Sequence, residues 1–219
     1  MKNRISKYLN YDRKWLVIGS GGHARTVLQC LESQKNKVEG VLDIKYQDKE
    51  DDILGYPVLG DLKLLDEGFT PDVCYLALAI GDNQIRRRHF IELSERGYIF
   101  PPFLHATAIV SPTCNLGQGV QISTGCIINS MVEIGINTIL NTGTIIDHEA
   151  KIGSHSHIAP GARIAGRVTI GSHCFVGIGS SIIDKVKIGD FTVIGAGSVV
   201  LHDLPGNCTA VGTPTRVIK

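Results

Sequence analysis

Aromatic side chains are scarce in this 219-residue sequence, at 6%, and neither charge dominates: 22 Lys and Arg stand against 21 Asp and Glu, a formal net charge of +1. That balance removes the electrostatic reason to expect nucleic acid or an acidic membrane as partner. Long apolar runs are missing as well. Trp15 to Ile18 and Tyr75 to Ile80 are the longest, far short of the ~20 residues of a membrane helix. The basic leader (Lys2, Arg4, Lys7, Arg13, Lys14) is followed by neither an apolar region nor a small-residue cleavage site, so no membrane insertion is expected and the cytoplasm is the expected compartment. Six cysteines, at 30, 74, 114, 126, 174 and 208, form no CxxC pair, which signals neither a disulfide framework nor a zinc site. With 43% apolar and 20% charged side chains, the chain reads as globular.

What is present is unevenly distributed. Eleven of the 13 aromatics precede residue 104, whereas 16 of the 25 glycines follow it. Two domains are expected, an α/β domain over 1–102 (with 1–14 as leader) and a second over 103–219. Pro101 and Pro102 mark the boundary, since proline donates no backbone hydrogen bond and biases its neighbour toward an extended connector. In the second segment an aliphatic residue recurs at every sixth position, from Leu104 and Val110 through Leu116, Ile122 and Ile128 to Ile194 and Val200, without a failure. A hexapeptide period belongs to β-helices. Four residues after each aliphatic comes a small or β-branched residue, such as Cys126, Thr144, Ser156 or Cys174, which supplies a second inward row. Glycine often follows the aliphatic directly, as at 117, 135, 153, 171, 189 and 195, where a tight corner is expected to need φ > 0. Three hexads make one triangular coil of 18 residues, so residues 104–201 supply about five coils at ~4.8 Å spacing. Large aromatics would not fit inside such a prism.

The first hundred residues read as strands at Trp15–Ile18, Val38–Leu42, Pro57–Leu59, Val73–Ile80 and Tyr98–Phe100. Helices are expected after Gly22, at Leu62–Glu67 and at Gln84–Arg96. This order implies a small parallel sheet of Rossmann-like type. Gly19-Ser20-Gly21-Gly22-His23 closes the first strand and Asp43 ends the second. Such a turn presents helix-start amides to phosphate, with the acid able to meet a ribose hydroxyl. A tight turn that binds nothing is the plainer alternative, and a nicotinamide enzyme is a rival, although so short a sheet provides only one mononucleotide half. Gly81-Asp82-Asn83 is a second nucleotide contact by position. Of Arg86, Arg87 and Arg88, at least two are expected on a solvated face.

Within the repeats, Asp147-His148-Glu149 and His155-Ser156-His157 concentrate chemistry. His148 lies outside both inward rows and projects outward. In the 18-residue coil it sits beside Ser130 and Gly166, and Glu149 stacks on Arg167. By residue type alone an exposed, idle histidine and a surface ion pair are the simpler readings. His155 and His157 lack the acids or cysteines that would complete a metal site.

The repeat resembles the hexapeptide-repeat acyltransferases, which implies a left-handed parallel β-helix. From Trp15 to Lys219, the GSGGHA turn, the DHE motif and the later SHxxxGA more closely resemble the bacterial nucleotide-sugar acetyltransferases near the bacillosamine and perosamine N-acetyltransferases. The sialic acid O-acetyltransferases are close relatives of that group. The resemblance implies acetyl-CoA as co-substrate, a 4-amino-4,6-dideoxy nucleotide sugar as acceptor in surface-glycan synthesis (O-antigen or lipopolysaccharide), and a homotrimer with sites between subunits. It assigns His148 as general base and Glu149 as its orienting acid. Nucleotide-sugar contacts fall at Gly19, Gly21, Gly22, His23, Asp43, Lys45, Gly81 and Asn83. The acetyl-CoA side takes Asn141, His157, Gly166, Gly195, Gly212, Pro214 and Arg216, and no metal is implied. In the bacillosamine branch two adjacent acids follow the second strand, whereas Asp43 here precedes Ile44, which leaves thymidine and guanosine open as the base. O-acetylation of a sialic acid, or a non-enzymatic nucleotide sensor, are the alternatives.

Overall fold

The computed structural model describes residues 13–43 and 52–219, so Lys45 and most of the leader lie outside the described residues. The chain divides into two compact units between Ala106 and Thr107.

The first unit is built on β1 (Lys14–Ile18), which pairs in parallel with both β2 (Val38–Leu42) and β5 (Cys74–Leu78). An uninterrupted Trp-Leu-Val-Ile run suits a central strand covered on both faces. Trp15 and Val17 pack with Val27, Leu28 and Leu31 of helix α1 (Gly22–Ser33), whereas Leu16 and Ile18 share a cluster with Phe90 and Leu93 of α3 (Asn83–Glu95). Between them, β4 (Tyr56–Gly60) extends the parallel sheet beside β2, and the short α2 (Leu64–Glu67) follows it. An antiparallel edge, β3 (Asp52–Ile53), escaped sequence reading. Its signal is Leu54-Gly55, both in the left-handed region (φ 55° and 81°), as a two-residue hairpin turn requires.

Tyr98–Phe100 is not a strand. It gives one sheet-edge bond, from the Leu76 amide to the Ile99 carbonyl at 3.1 Å. Pro101 and Pro102 follow at once, without the amides needed to continue a ladder. Among the described residues no helix is long and apolar enough to cross a membrane.

The second unit is a left-handed parallel β-helix. Two-residue strands pair at a separation of 18 residues, as in Ile127↔Ile145↔Arg163. One face carries Ile139–Leu140, His157–Ile158, Phe175–Val176 and Val193–Ile194. The second carries Ile109–Val110, Ile127–Ile128, Ile145–Ile146 and Arg163–Ile164, and the third Glu133–Ile134, Lys151–Ile152, Thr169–Ile170 and Lys187–Ile188. From Ile122 to Val200 every aliphatic of the six-residue frame is buried, as is the small row. Both later aromatics stay out of the lumen: Phe175 lies at an outward strand position and Phe191 at an exposed corner.

The small row also solves a polar problem. Its hydroxyls and thiols donate to corner carbonyls fifteen residues on: Cys114 to Asn129 (3.0 Å), Cys126 to Asn141 (3.1 Å), Thr138 to Gly153 (2.9 Å), Ser156 to Gly171 (3.1 Å), Cys174 to Gly189 (3.2 Å) and Ser180 to Gly195 (2.9 Å). A buried donor that would otherwise cost stability instead ties each coil to the next. Burial pushes the Cys126 and Cys174 thiols up to about 11.

The corner glycines correct an expectation. Gly117, Gly135, Gly153, Gly171, Gly189 and Gly195 do not have positive φ. They are small because the neighbouring coil leaves no room: a Cβ on Gly135 would stand 2.5 Å from the Ser154 amide nitrogen, and one on Gly117 2.7 Å from that of Ile136. The left-handed residue comes two positions later. At the corner between the first and second faces it is always glycine (125, 143, 161, 179, 197); at the next it is Met131, Glu149, Arg167 and Lys185; at the third, Gly119, Asn137, His155, His173 and Phe191. Non-glycine residues there carry a backbone cost of about 1–2 kcal/mol each.

The last coil is closed by an antiparallel pair, Thr209–Val211 with Arg216–Val217, which covers an edge that would otherwise expose unpaired backbone. Gly135→Ala is expected to cost about 3 kcal/mol because the facing atoms are backbone. Gly161→Ala, strained in φ but open in space, is expected to cost about 1 kcal/mol. Denaturant unfolding of the two variants checks the order.

Candidate active site

The corner after Ile145–Ile146 presents three consecutive polar side chains. Asp147 turns back: its Oδ1 accepts the His148 backbone amide (2.8 Å) and the Nδ2 of Asn129, one coil earlier (2.8 Å). These bonds, Asn129 first, hold the Asp147 carboxyl below the usual carboxylate range. Glu149 takes the left-handed conformation (φ 58°). A single oxygen, Oε2, accepts both from His148 Nδ1 (3.0 Å) and from Arg167 Nε (3.0 Å). Arg167 and then His148 lower the Glu149 carboxyl, which is therefore ionised at neutral pH. An ionised carboxylate only accepts, so the imidazole proton sits on Nδ1 and Nε2 is left with its lone pair.

The ring's position is determined from below. A Cβ on Gly166 would stand 2.7 Å from both Cε1 and Nε2 of His148, so only glycine lets the imidazole lie over that corner. The His148 side chain remains 48% exposed, open to a partner molecule. Sequence reading anticipated the stacking on Gly166 and the Glu149–Arg167 contact. It missed the Asn129–Asp147 bond, for which the 18-residue separation was the available signal.

A second group forms at the corner between the first and second faces. Asn141 Oδ1 accepts the Thr142 amide (2.8 Å), so its Nδ2 is the donor to His157 Nε2 (3.1 Å), which places the His157 proton on Nδ1. The nearly buried His157 ring meets Phe175 edge-on at 5.3 Å. His155 points elsewhere, bonded to Asn137 (2.9 Å) and stacked on His173. Among the described residues no three His, Cys, Asp or Glu side chains gather as a metal site would need. The Asn141 corner continues through Ala159 and Gly177 to Gly195, each amide bonding to the next coil, and Val211 packs over Gly195. Gly212 (φ 101°) joins this edge through its amide to Ser198 Oγ (3.1 Å), with Pro214 and Arg216 exposed beyond it. Gly166 does not join them; it lies on the His148 corner. All six cysteines are buried.

In the first unit, Gly19, Asp43 and Gly81 follow the carboxyl ends of the adjacent parallel strands β1, β2 and β5, where open sheets bind ligands. Gly19 needs its φ of 105°, and a Cβ there would crowd the Ala79 carbonyl oxygen at 3.1 Å. Gly21 caps α1 without a side-chain bond, no acid occupies the first turn, and a Cβ at Gly21 or Gly22 would meet nothing within 4 Å. The helix-start amides thus lie beside open space suited to an anion, with His23 half-buried in the first turn. Arg87 and Arg88 are exposed, as expected of at least two of the three arginines, and the buried one is Arg86. Its guanidinium holds the carbonyls of Ile80 (3.0 Å) and Gly81 (3.1 Å) and Asn83 Oδ1 (2.8 Å), and burial lowers it to about 10. The Gly81–Asn83 loop is therefore fixed from within.

Two family models match: the PglD N-terminal domain over residues 14–93 and the bacterial transferase hexapeptide (six repeats) over 167–202. Perosamine N-acetyltransferase from Caulobacter crescentus, solved with CoA and GDP-perosamine, is 34% identical with a TM-score of 0.87, covering 94% of this chain and 97% of that one. The acetyltransferase domain of PglB from Neisseria gonorrhoeae, solved with acetyl coenzyme A, is 28% identical with a TM-score of 0.89, covering 94% and 100%. UDP-N-acetylbacillosamine N-acetyltransferase from Bacillus subtilis is 32% identical over 109 residues, 48% of this chain and 49% of that one, so the match spans about half the length of this curated relative.

The ring geometry has a spectroscopic consequence. Nitrogen-15 NMR of the neutral His148 imidazole is expected to report protonation at Nδ1. In Gly166→Ala, which displaces the ring from Glu149, the signal is expected to move toward the Nε2–H form that free imidazole side chains favour.

Proposed function

The chain belongs to the hexapeptide-repeat sugar acetyltransferases with a PglD N-terminal domain, and on that premise we propose that it moves the acetyl group of acetyl-CoA to the 4-amino group of a nucleotide-linked 4-amino-4,6-dideoxy sugar. The observation that carries this reading is the His148–Glu149 pair, with Nδ1 engaged at 3.0 Å and Nε2 left as acceptor. In the reaction the C4 ammonium first gives one proton to solvent; the neutral amine then attacks the thioester carbonyl with its lone pair, and His148 Nε2 takes a second proton from the nitrogen as the carbon–nitrogen bond forms. The tetrahedral intermediate collapses with cleavage of the carbon–sulfur bond, and the proton held by His148 passes to the departing CoA thiolate. Glu149 keeps the imidazole in the required tautomer and balances the imidazolium. No cysteine is needed as an acyl carrier, and burial with raised thiol pKa supports direct transfer.

The two ligand ends divide between the units. The open start of α1 and the strand-end residues Gly19, Gly21, Gly22, His23, Asp43, Gly81 and Asn83 suit the nucleotide sugar, with phosphate at the helix amides. The relative solved with GDP-perosamine supports such an acceptor. Acetyl-CoA is assigned to the edge from Asn141 and His157 along Gly195 to Gly212, Pro214 and Arg216. His148 and Asn141 occupy different corners of one prism, flanking the face whose outward residues include Ile109, Ile127 and Ile145. Ile109 is 66% exposed, whereas the third face offers Glu133, Lys151, Thr169 and Lys187 to solvent. This is the face we assign to a homotrimer, an arrangement that would set the Asn141 corner of one copy against the His148 corner of the next, with sites between prisms.

His148→Ala is expected to lower kcat by roughly 10²- to 10⁴-fold while acetyl-CoA binding, measured by calorimetry, survives. Thiol release from acetyl-CoA with uridine-, thymidine- and guanosine-linked 4-amino sugars, and with sialic acid, identifies the acceptor. Turnover of sialic acid alone overturns N-acetylation, and full activity in His148→Ala overturns the base.

A further inference from the structure

We propose that Arg167 is a positioning residue that sets the orientation of the His148–Glu149 pair. The proposal rests on His148 being the base. Arg167 grips the pair twice from the next coil: its backbone amide donates to the His148 carbonyl (2.9 Å), and its Nε donates to Glu149 Oε2 (3.0 Å). That oxygen is the one His148 Nδ1 also uses. Glu149 is thus held between a permanent cation and the imidazole, and cannot swing to another rotamer without losing both bonds. Both residues keep side chains in the left-handed conformation (φ 58° and 60°), where the corner between the first and second faces uses glycine in five successive coils.

The neighbouring groups do not substitute for Arg167. Asp147 Oδ1 is engaged by Asn129 and the His148 amide, and Lys185 on the following coil pairs with Asp184 (3.4 Å). The neighbouring positions on the preceding coil, Asn129, Ser130 and Met131, carry no charge.

The test uses the full chain with three variants. Arg167→Gly removes the guanidinium while relaxing the backbone, so folding is retained; Arg167→Lys keeps a cation at a position type that Lys185 already occupies with φ 63°; His148→Gln removes the base. In Arg167→Gly we expect kcat to fall on the order of tenfold, KM for acetyl-CoA to stay unchanged, and the nitrogen-15 signal of the neutral His148 imidazole to move from the Nδ1–H toward the Nε2–H form. In Arg167→Lys the Nδ1–H signal and most of kcat are expected to return. Wild-type kcat and an unmoved nitrogen-15 signal in Arg167→Gly, with His148→Gln inactive, overturn the role of Arg167 and leave the base intact. Full activity in His148→Gln overturns the reading beneath it.

Discussion

The stacking of coils at a fixed period of 18 residues is the constraint on which the second unit depends. Backbone bonds between two-residue strands maintain it, and the hydroxyl and thiol donors of the small inward row reinforce it fifteen residues on. Because the period does not slip, side chains distant in sequence become neighbours without any loop to bring them together. Asn129 and Asp147, His148 and Gly166, and Glu149 and Arg167 are each 18 apart and each in contact. The site is a direct product of the stacking that makes the prism.

This explains a division of labour among the corners. Where the left-handed position holds only glycine, the backbone is unstrained and the corner is bare, leaving the edge of Asn141, Gly177 and Gly195 open along several coils. Where it holds Glu149 and Arg167, strain is accepted and charge is placed beside a histidine. The third corner stacks His155, His173 and Phe191, with ring centroids 5.2 and 4.5 Å apart, and faces away from the isoleucine-bearing side. The first unit works by a different rule. There three loops meet because parallel strands end at one edge, and a buried Arg86 is the internal brace of one of them.

Much of this was legible in the sequence, and the parts that were not have a common cause. The six-residue aliphatic frame, the coil length, the stacking of Glu149 on Arg167 and the outward direction of His148 all follow from periodicity, which backbone geometry enforces. Glycine was harder, because the same residue answers two needs: at Gly135 the neighbouring coil's backbone excludes a Cβ, whereas at Gly161 the dihedral angle is decisive. Composition does not separate them. That at most one of the three arginines would be buried was legible, but not that it is Arg86, because burial depends on which carbonyls lie at the end of β5, a tertiary fact. The Tyr98–Phe100 segment has strand propensity, but two prolines removed the donors a ladder needs. Asp147 needed only the period, applied to polar residues as well as to aliphatic ones.

The thickness of a coil has a further implication. Each turn advances the prism by ~4.8 Å, and the segment that closes it, from Gly212 to Arg216, is anchored on the coil of Ser198 and Val199. The axial span from the imidazole to that segment is therefore counted in whole turns, like marks on a ruler. Loss or gain of 18 residues between them would leave every inward side chain in place and change the span by one division. A single-residue deletion would instead turn the following inward positions outward. Lineages of this architecture can thus alter the reach offered to a thioester-bearing arm only in discrete steps.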